Sequence, residues 1–278
     1  MKKGCMRHDK KKTAYVLFGT GDYYQRFRHW FADKTVLAIL DNDKKRQGTM
    51  LDGHPVIPPE EVKELPFDAV VILSFYVTEM KRQLIGLGIA EDKIYHFFDL
   101  HDLFKAKDSE SIGRASNVND VKSILLLSHD LSLGGPALAL FHAALVLREN
   151  GYDIMFASML DGALREKLEE QFIPVMIDKR LQINTMRELP WTEKYDLIFC
   201  NTIHYHTFLS DRDEDIPVIW WLHDSAFYYE GIRAGKLTDI SARNLRYVSV
   251  GPVPRKAMNQ YRPDVVIEDL IYGVSDGI

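Results

Sequence analysis

The sequence predicts an α/β protein with two Rossmann-like domains, each a doubly wound parallel sheet. Three observations support this prediction. Short apolar runs alternate with amphipathic segments along the chain, a polar stretch interrupts the alternation once, and each half begins with an apolar run that ends in a glycine-containing corner. The 278 residues, 46% of them hydrophobic, can bury one large core or two modest ones.

In the first half, apolar runs predict three strands, and helical spacing of apolar residues predicts two helices. The predicted strands are AYVLFG, TVLAILDND and FDAVVILSF, and the predicted helices are YYQRFRHWFA and EMKRQLIGLG. The second helix is expected to end at Gly86 or Gly88. Strands that alternate with helices imply a parallel sheet covered on both faces.

The second half repeats this plan with seven apolar runs, SILLLSH, YDIMFAS, IPVMID, YDLIFCN, PVIWWLH, RYVSVG and DVVIED. Its clearest helix is PALALFHAALVLREN, in which apolar residues recur every three or four positions. Pro136 suits the first turn, where its missing N–H has no consequence, and Gly151 suits the C-terminal cap.

The polar stretch at residues 105–122 contains no aromatic residue and very few large apolar ones, so it predicts a linker. We expect a Rossmann-like accessory domain at residues 1–108, a linker at 109–120 and a second domain at 121–278.

Composition argues against several classes of protein. A net charge of -5 argues against nucleic acid as the main partner. The two cysteines, Cys5 and Cys200, form no C-x-x-C pair, which argues against a disulfide framework or a zinc module. No apolar stretch approaches the roughly 20 residues that span a bilayer, and no signal peptide is evident, so a cytoplasmic protein is expected. The basic start, MKKGCMRHDKKK, is either a solvated terminus or a peripheral contact with anionic lipid.

The first glycine corner places Gly19 and Gly21 between a strand and a helix, and Asp41 ends the next strand. Free amides at such a corner bind phosphate, and an acid at this spacing binds a ribose hydroxyl. The third glycine position is occupied by Tyr24, which would crowd a pyrophosphate. Two interpretations stay open: a site for NAD, a nucleotide or a nucleotide sugar, and a Rossmann-like shell without a ligand.

The first half also resembles small domains found beside sugar-modifying enzymes, among them sugar acyltransferases and epimerase-like proteins. The resemblance rests on VLFGTG, LAILDNDKKRQGTMLDGHPVIPPEEV, DAVVILS and LGIAEDKIYH. It implies the fold, and it implies a nucleotide-sugar ligand because some of the similar domains bind one.

The second glycine corner, HDLSLGGPALALF, places Gly134 and Gly135 before a helix that begins at Pro136. Glycines let a ligand approach the backbone, and the amides at a helix N-terminus attract anions. The corner therefore predicts either an anion site at the carboxyl edge of the sheet or a tight packing corner.

The second half resembles the retaining glycosyltransferases of family 4, which have the two-Rossmann GT-B fold. The resemblance rests on ILLLSHDLSLGGPALALFHAALVLRENGYDIMFAS, YDLIFCNTIHYH, PVIWWLHDS, YVSVG and VIEDLIYGVSDGI. It implies that Gly134 and Gly135 lie against the diphosphate of a nucleotide sugar, and that His223 faces the reacting sugar. It also implies metal-independent chemistry.

Two further residues at strand ends are candidates for contacts with a saccharide or lipid-linked acceptor. Asn201 follows the YDLIFC run and is expected to position the acceptor. Asp224 is expected to bind an acceptor hydroxyl, to orient His223 or to cap the next helix.

In the similar family, a second Rossmann domain that binds the donor follows the phrase IYGVSDGI. We therefore expect this sequence to be the acceptor-side part of a longer enzyme that lacks the C-terminal donor domain. Alone, it is expected to have little or no transfer activity.

Other interpretations were weighed. His204 and His206 form half of a metal site, and D-x-D spacing occurs at 41–43 and within DRDED, but no third ligand is evident and no metal is predicted. Trp220 and Trp221 face opposite sides of a strand, where core packing is favoured over sugar stacking. Gly19, Gly21 and Asp41 also fit an NAD-dependent oxidoreductase or epimerase, although the Tyr-x-x-x-Lys pair of short-chain dehydrogenases is missing. A non-catalytic module that binds nucleotide sugars is the remaining alternative.

Overall fold

The structure is a computed structural model that describes residues 13–74, 76–104, 121–232 and 235–272. The predicted linker at 109–120 and the basic start lie outside the described residues. The chain divides into two compact units, Met1–Leu100 and His101–Ile278. The predicted domain limits stay a prediction.

The first unit contains a six-stranded sheet in the order β3-β4-β2-β1-β5-β6. Its strands are β1 Ala14–Phe18, β2 Thr35–Leu40, β3 Met50–Leu51, β4 His54–Ile57, β5 Ala69–Ile72 and β6 Ile94–His96. Its helices are α1 Asp22–Phe27 and α2 Val77–Gly86, and α3 Leu100–Phe104 begins at the unit boundary. All neighbouring strands are parallel except β3 and β4, which form an antiparallel pair.

The predicted first helix is interrupted, because α1 ends at Phe27 and a 3₁₀ turn follows over Arg28–Phe31. The β3–β4 hairpin and β6 were not predicted. Each of these strands has only two to four residues, and such short runs give no clear periodicity.

The second unit contains a seven-stranded parallel sheet in the order β13-β12-β11-β10-β7-β8-β9. Its strands are β7 Ser123–Ser128, β8 Asp153–Ser158, β9 Val175–Ile177, β10 Leu197–Asn201, β11 Val218–Leu222, β12 Leu245–Ser249 and β13 Ile267–Asp269. Its helices are α4 Gly135–Glu149, α5 Leu164–Glu170, α6 His206–Ser210, α7 Gly235–Thr238 and α8 Pro252–Asn259. Each of the seven apolar runs contains one strand, and the predicted fold class is confirmed in both units.

The strand order of the second sheet reverses at β7, as in other doubly wound sheets. β8 pairs with β7 on one side, and β10 pairs with β7 on the other. Ligands of open α/β sheets bind in the crevice at such a switch point, outside the carboxyl ends of the strands. Below this edge, the core packs α4 against the sheet, with Leu126, Leu140 and Phe199 all buried.

Trp220 and Trp221 are almost completely buried, which confirms that they pack in the core. The Trp220 indole donates to the Thr202 carbonyl oxygen at 2.7 Å, and the Trp221 indole donates to the Leu270 carbonyl oxygen at 3.1 Å. Both indoles thus tie the middle of the second sheet to loops at its carboxyl edge. Among the described residues, no helix has the length and apolar character that crossing a membrane requires.

Gly19 is required by the structure for two independent reasons. Its φ of +110° lies in the region that side chains disfavour, and a Cβ atom there would lie 2.7 Å from the Leu73 carbonyl oxygen. By contrast, a Cβ atom on Gly21 would meet nothing within 4 Å.

We expect Gly19→Ala to destabilise the first unit by roughly 2 kcal/mol, because the methyl group forces β1 and the end of β5 apart. Hydrogen exchange measured by mass spectrometry should show faster exchange in β1 and β5 and unchanged exchange in β7. Gly21→Ala is the matched control and should leave all three strands protected. Equal protection of β1 in the two variants would contradict the steric argument.

Candidate functional site

The candidate site is the carboxyl edge of the second sheet, where the ends of β7, β10 and β11 lie side by side. This edge brings the glycine loop, residues 129–134, next to Asn201, His223 and Asp224. All five site residues predicted in the second unit lie at this edge, because the carboxyl ends of parallel strands share it. They are Gly134, Gly135, Asn201, His223 and Asp224.

The glycine loop is held by its own polar groups. Asp130 Oδ1 accepts hydrogen bonds from the Ser132 amide at 3.1 Å and the Ser132 hydroxyl at 2.8 Å, and Ser132 Oγ accepts one from the Gly134 amide at 3.2 Å. Burial raises the pKa of Asp130, but the bonds from His129 and Ser132 outweigh it and hold the pKa below its ordinary value. Gly134 was predicted to lie against a diphosphate, but its amide hydrogen is already bonded to Ser132 within the loop.

The next two amides of the corner are unbonded. α4 begins at Gly135 and continues for 15 residues with no acidic side chain in its first turn. Among the described residues, the amides of Gly135 and Ala137 have no acceptor, whereas Leu138 already donates to the Gly134 carbonyl oxygen at 3.0 Å. The two unbonded amides and the positive end of the helix dipole can bind an anion here.

Neither glycine is demanded by backbone conformation. Gly134 has a φ of -79° and an extended backbone, and a Cβ atom on it would lie 3.0 Å from Ser132 Oγ. A Cβ atom on Gly135 would lie at an ordinary 3.8 Å from the Tyr272 hydroxyl oxygen. The fold therefore tolerates a side chain at Gly135, and the gap between α4 and Tyr272 stays open in its absence.

Gly162 packs against the backbone of the glycine loop at Leu131. Sequence reasoning did not identify Gly162. A Cβ atom on Gly162 would lie 2.4 Å from the Leu131 carbonyl oxygen, and the Leu164 amide donates to that oxygen at 2.8 Å. The loop after β8 thus fixes the loop after β7 through backbone atoms. The only signal in the sequence is a glycine before a helix, and its partner lies about 30 residues away.

Asn201 ends β10 and is completely buried. Its Nδ2 donates to the Pro136 carbonyl oxygen at 2.8 Å, which fixes the first turn of α4 to the end of the strand. Its Oδ1 is buried and has no hydrogen-bond partner among the described residues. The predicted contact of Asn201 with an acceptor stays a prediction, and the geometry gives this side chain a positioning role.

Thr202 follows Asn201 with a φ of +78°, which is rare for a β-branched residue. The Thr202 amide donates to the Trp221 carbonyl oxygen at 2.8 Å, and the Trp220 indole binds the Thr202 carbonyl oxygen. Such backbone strain persists only where the surroundings over-determine it, and it is concentrated at functional sites. The strained turn directs the next residues towards the edge of the sheet.

Asp224 is buried, and its Oδ2 accepts a hydrogen bond from the Ile203 amide at 2.7 Å. Burial raises the pKa of this carboxyl group above its ordinary value. The contact joins the loop after β11 to the strained turn after β10. The predicted binding of an acceptor hydroxyl by Asp224 stays a prediction. Since Oδ2 is bonded to Ile203, such a hydroxyl would have to bind Oδ1.

His223 presents a neutral imidazole. Burial and the charge of His129 lower the pKa of His223 to about 4, so the ring carries no charge at neutral pH. The ring packs 4.7 Å from the Trp221 ring, and its Nε2 is buried without a hydrogen-bond partner among the described residues. A neutral imidazole with an unbonded nitrogen can accept from, or donate to, a sugar hydroxyl group.

His129 and His204 lie at the same edge, and of these two the sequence indicated only His204, as half of a possible metal site. Their rings stack with centroids 4.8 Å apart, and His129 Nε2 lies 3.3 Å from Asp130 Oδ2. His206 is turned away into the protein, where its Nδ1 lies 3.2 Å from the Ile203 carbonyl oxygen. Within the described ranges, no group of three or more potential ligands is arranged to hold a metal ion.

The first unit brings Gly19, Gly21 and Asp41 together around a cavity of about 530 Å³ at the carboxyl ends of its strands. Asp41 Oδ2 accepts a hydrogen bond from the Thr20 hydroxyl, and its Oδ1 accepts one from the Asp43 amide at 2.8 Å. The sequence predicted that Tyr24 would crowd a pyrophosphate at this corner, but Tyr24 does not line the cavity. It is buried elsewhere, and its hydroxyl donates to Asp52 at 2.8 Å.

The electrostatics of this cavity oppose an anion. Asp22, Asp41 and Glu79 line it, and its described lining contains no lysine or arginine. Asp22 also occupies the first turn of α1, where a phosphate would meet a like charge. The acidic lining disfavours an anion, but the Arg46 guanidinium donates to the Thr20 hydroxyl and lies 3.8 Å from Asp41 at the same corner. The predicted nucleotide or NAD site stays a prediction.

Comparisons with known protein families match both units. Residues 120–249 match the family model described as Glycosyl-transferase family 4, which supports a glycosyltransferase in general. Residues 11–95 match the family model described as C2185-like, N-terminal. No curated protein matches the chain. The resemblance of the first unit to domains beside sugar-modifying enzymes stays a prediction.

We expect the imidazole of His223 to titrate with a midpoint near 4, which NMR of its ring protons can measure. Between this value and the ordinary pKa of about 6.5, the unfolded chain binds a proton that the folded chain does not. Stability should therefore fall as the pH falls through this window, and His223→Gln should remove that part of the pH dependence. A midpoint near 6.5 would contradict the buried, neutral ring.

We expect Gly162→Ala to destabilise the second unit by roughly 2 kcal/mol, because the methyl group displaces the Leu131 backbone. Gly135→Ala is the matched control within the same unit and should change stability by less than about 1 kcal/mol. Urea denaturation measures both values. Similar midpoints for the two variants would show that the loop does not depend on this contact.

Proposed function

We propose that the second unit is the acceptor-side domain of a retaining GT-B glycosyltransferase. The enzyme would transfer a sugar from a nucleotide-sugar donor to a saccharide or lipid-linked acceptor. The observation that carries this proposal is the pair of unbonded amides, Gly135 and Ala137, at the carboxyl edge of the sheet. The match of residues 120–249 to family 4 supports the same reaction class.

The two amides suit a diphosphate because the negative charge on the leaving group grows as the sugar–phosphate bond breaks. Preorganised N–H groups stabilise such charge without having to reorient during the reaction. The dipole of the 15-residue helix α4 adds to this effect, and its first turn contains no acidic side chain to oppose it.

In this proposal, His223 contacts the reacting sugar. Its unbonded Nε2 would hydrogen-bond a sugar hydroxyl as the leaving group departs, and the lowered pKa keeps the ring uncharged at neutral pH. Asn201 and Asp224 would act mainly through the backbone. The first holds the start of α4, and the second holds the turn beside His223.

An NAD-dependent oxidoreductase is the less favoured alternative. Its pyrophosphate would have to bind beside Asp22, Asp41 and Glu79, at the start of a helix of only six residues. A nucleotide-sugar sensor would use the same cavity and meet the same repulsion. Both alternatives predict that the anion binds in the first unit.

The test is a titration of the ¹⁵N-labelled chain with inorganic pyrophosphate, followed by NMR. We expect the amide signals of Gly135 and Ala137 to shift most, because these groups have no other acceptor. Gly135→Ala should weaken binding by about tenfold, since its methyl group occupies the gap beside α4. Gly21→Ala, the corresponding control in the first unit, should bind as the unchanged protein does.

Shifts confined to residues around Gly19 and Asp41 would instead favour the sensor. A parallel titration with NAD that moves only these signals would favour the oxidoreductase. Either result, with unmoved signals at Gly135 and Ala137, would overturn the proposed transferase site.

A further inference from the structure

The segment after β13 crosses the carboxyl edge of the second sheet. The Leu270 amide donates to the Ser249 carbonyl oxygen at 2.8 Å, at the end of β12. The Leu270 carbonyl oxygen accepts from the Trp221 indole at 3.1 Å. These two bonds fix the backbone beside β11 and β12, so that Tyr272, two residues later, reaches the centre of the edge.

The Tyr272 ring is held by aromatic contacts on one side. It packs perpendicular to the Trp221 ring at a centroid distance of 5.8 Å, and its centroid lies 6.3 Å from the His223 ring. On the other side, the hydroxyl oxygen lies 3.8 Å from the position of a Cβ atom on Gly135. The phenol therefore lies between the His223 imidazole and the first turn of α4.

The Tyr272 hydroxyl makes no hydrogen bond to any of the described residues, and the side chain is half-buried. The hydroxyl group is not among the fully buried polar atoms, so it is accessible from the gap beside Gly135 and can donate to a group that enters this gap. The packing on Trp221 already explains the position of the ring, but it does not explain the hydroxyl group.

Two other donors near this edge are already engaged, and the unbonded His223 Nε2 is assigned to a sugar hydroxyl in the proposed function. The Gly134 amide donates to Ser132 Oγ, and the guanidinium group of Arg255 is paired with Asp269 at 2.9 Å. Within the second unit, the two amides of α4 can bind only some of the oxygens of a diphosphate. A neutral hydroxyl group beside Gly135 can fill this deficit without the cost of burying a charge.

We propose that the Tyr272 hydroxyl donates a hydrogen bond to the donor diphosphate held by the amides of Gly135 and Ala137. Tyr272 would thus complete the anion site in place of the Gly134 amide. This inference rests on the proposed function of the second unit, and it adds a substrate-contacting residue that the sequence did not indicate.

The test compares Tyr272→Phe with the unchanged protein in the same pyrophosphate titration. The phenylalanine ring keeps the contacts with Trp221 and His223, and the missing hydroxyl has no protein partner, so the melting temperature should not change. We expect pyrophosphate binding to weaken by about tenfold, as for a lost hydrogen bond to a charged group. The shifts of the Gly135 and Ala137 amides should persist at saturation.

Tyr195→Phe is the matched control, because Tyr195 precedes β10 at the opposite edge of the sheet and should not affect binding. Unchanged affinity of Tyr272→Phe, with both α4 amides still shifting, would overturn the role of Tyr272 and leave the transferase site intact. Unmoved amides in the unchanged protein would overturn the anion site itself, and the role of Tyr272 with it.

Discussion

The close contact between Gly162 and the backbone of Leu131 fixes the loop on which the candidate site depends. With no side chain at Gly162, the two loops approach to a distance that a methyl group would prevent. The Leu131 carbonyl oxygen is then satisfied by Leu164, and Asp130, Ser132 and Gly134 satisfy one another. Because the loop is complete in itself, the start of α4 is left with two amides that need an external acceptor.

The carboxyl edge of the second sheet contains polar groups that bind the backbone and polar groups that bind no described residue. Asn201 and Asp224 are buried and bind backbone atoms, and the strained Thr202 is fixed by both neighbouring tryptophans. The His223 Nε2 and the Tyr272 hydroxyl are held in place by packing, but their polar atoms are not engaged. Preorganised sites have this division, since rigid supporting residues keep the contacting groups oriented.

The sequence predicted the second sheet well, because each of its strands lies in an apolar run between polar turns, and the central strands β7, β10 and β11 are buried on both faces. It also predicted which loops meet, because the carboxyl ends of parallel strands share one edge. The direction of individual side chains could not be predicted. Asn201 and Asp224 have residue types that suit a sugar, yet both are turned towards the backbone.

Gly162 and Tyr272 were missed for a related reason. Their importance comes from partners at Leu131 and Gly135, which are distant in the chain, and no local pattern records such a pairing. In the first unit, the position of one side chain was predicted wrongly because its partner lies on an element that the sequence did not predict. Tyr24 was expected to obstruct the glycine corner, but its hydroxyl is bound to Asp52 on the β3–β4 hairpin, an element that the sequence did not predict.

The two units show that glycine corners at equivalent places in a fold can have different charged surroundings. Both place a glycine corner between the first strand of a parallel sheet and a helix. In the first unit the helix has six residues and begins with Asp22, and two further carboxylates line its cavity. In the second unit the helix has 15 residues, and its first turn is free of acidic side chains. Since the charged groups around the two corners differ, the fold alone does not determine which corner binds an anion. The acid-free first turn of α4 supports the proposal that a diphosphate would bind at the second unit.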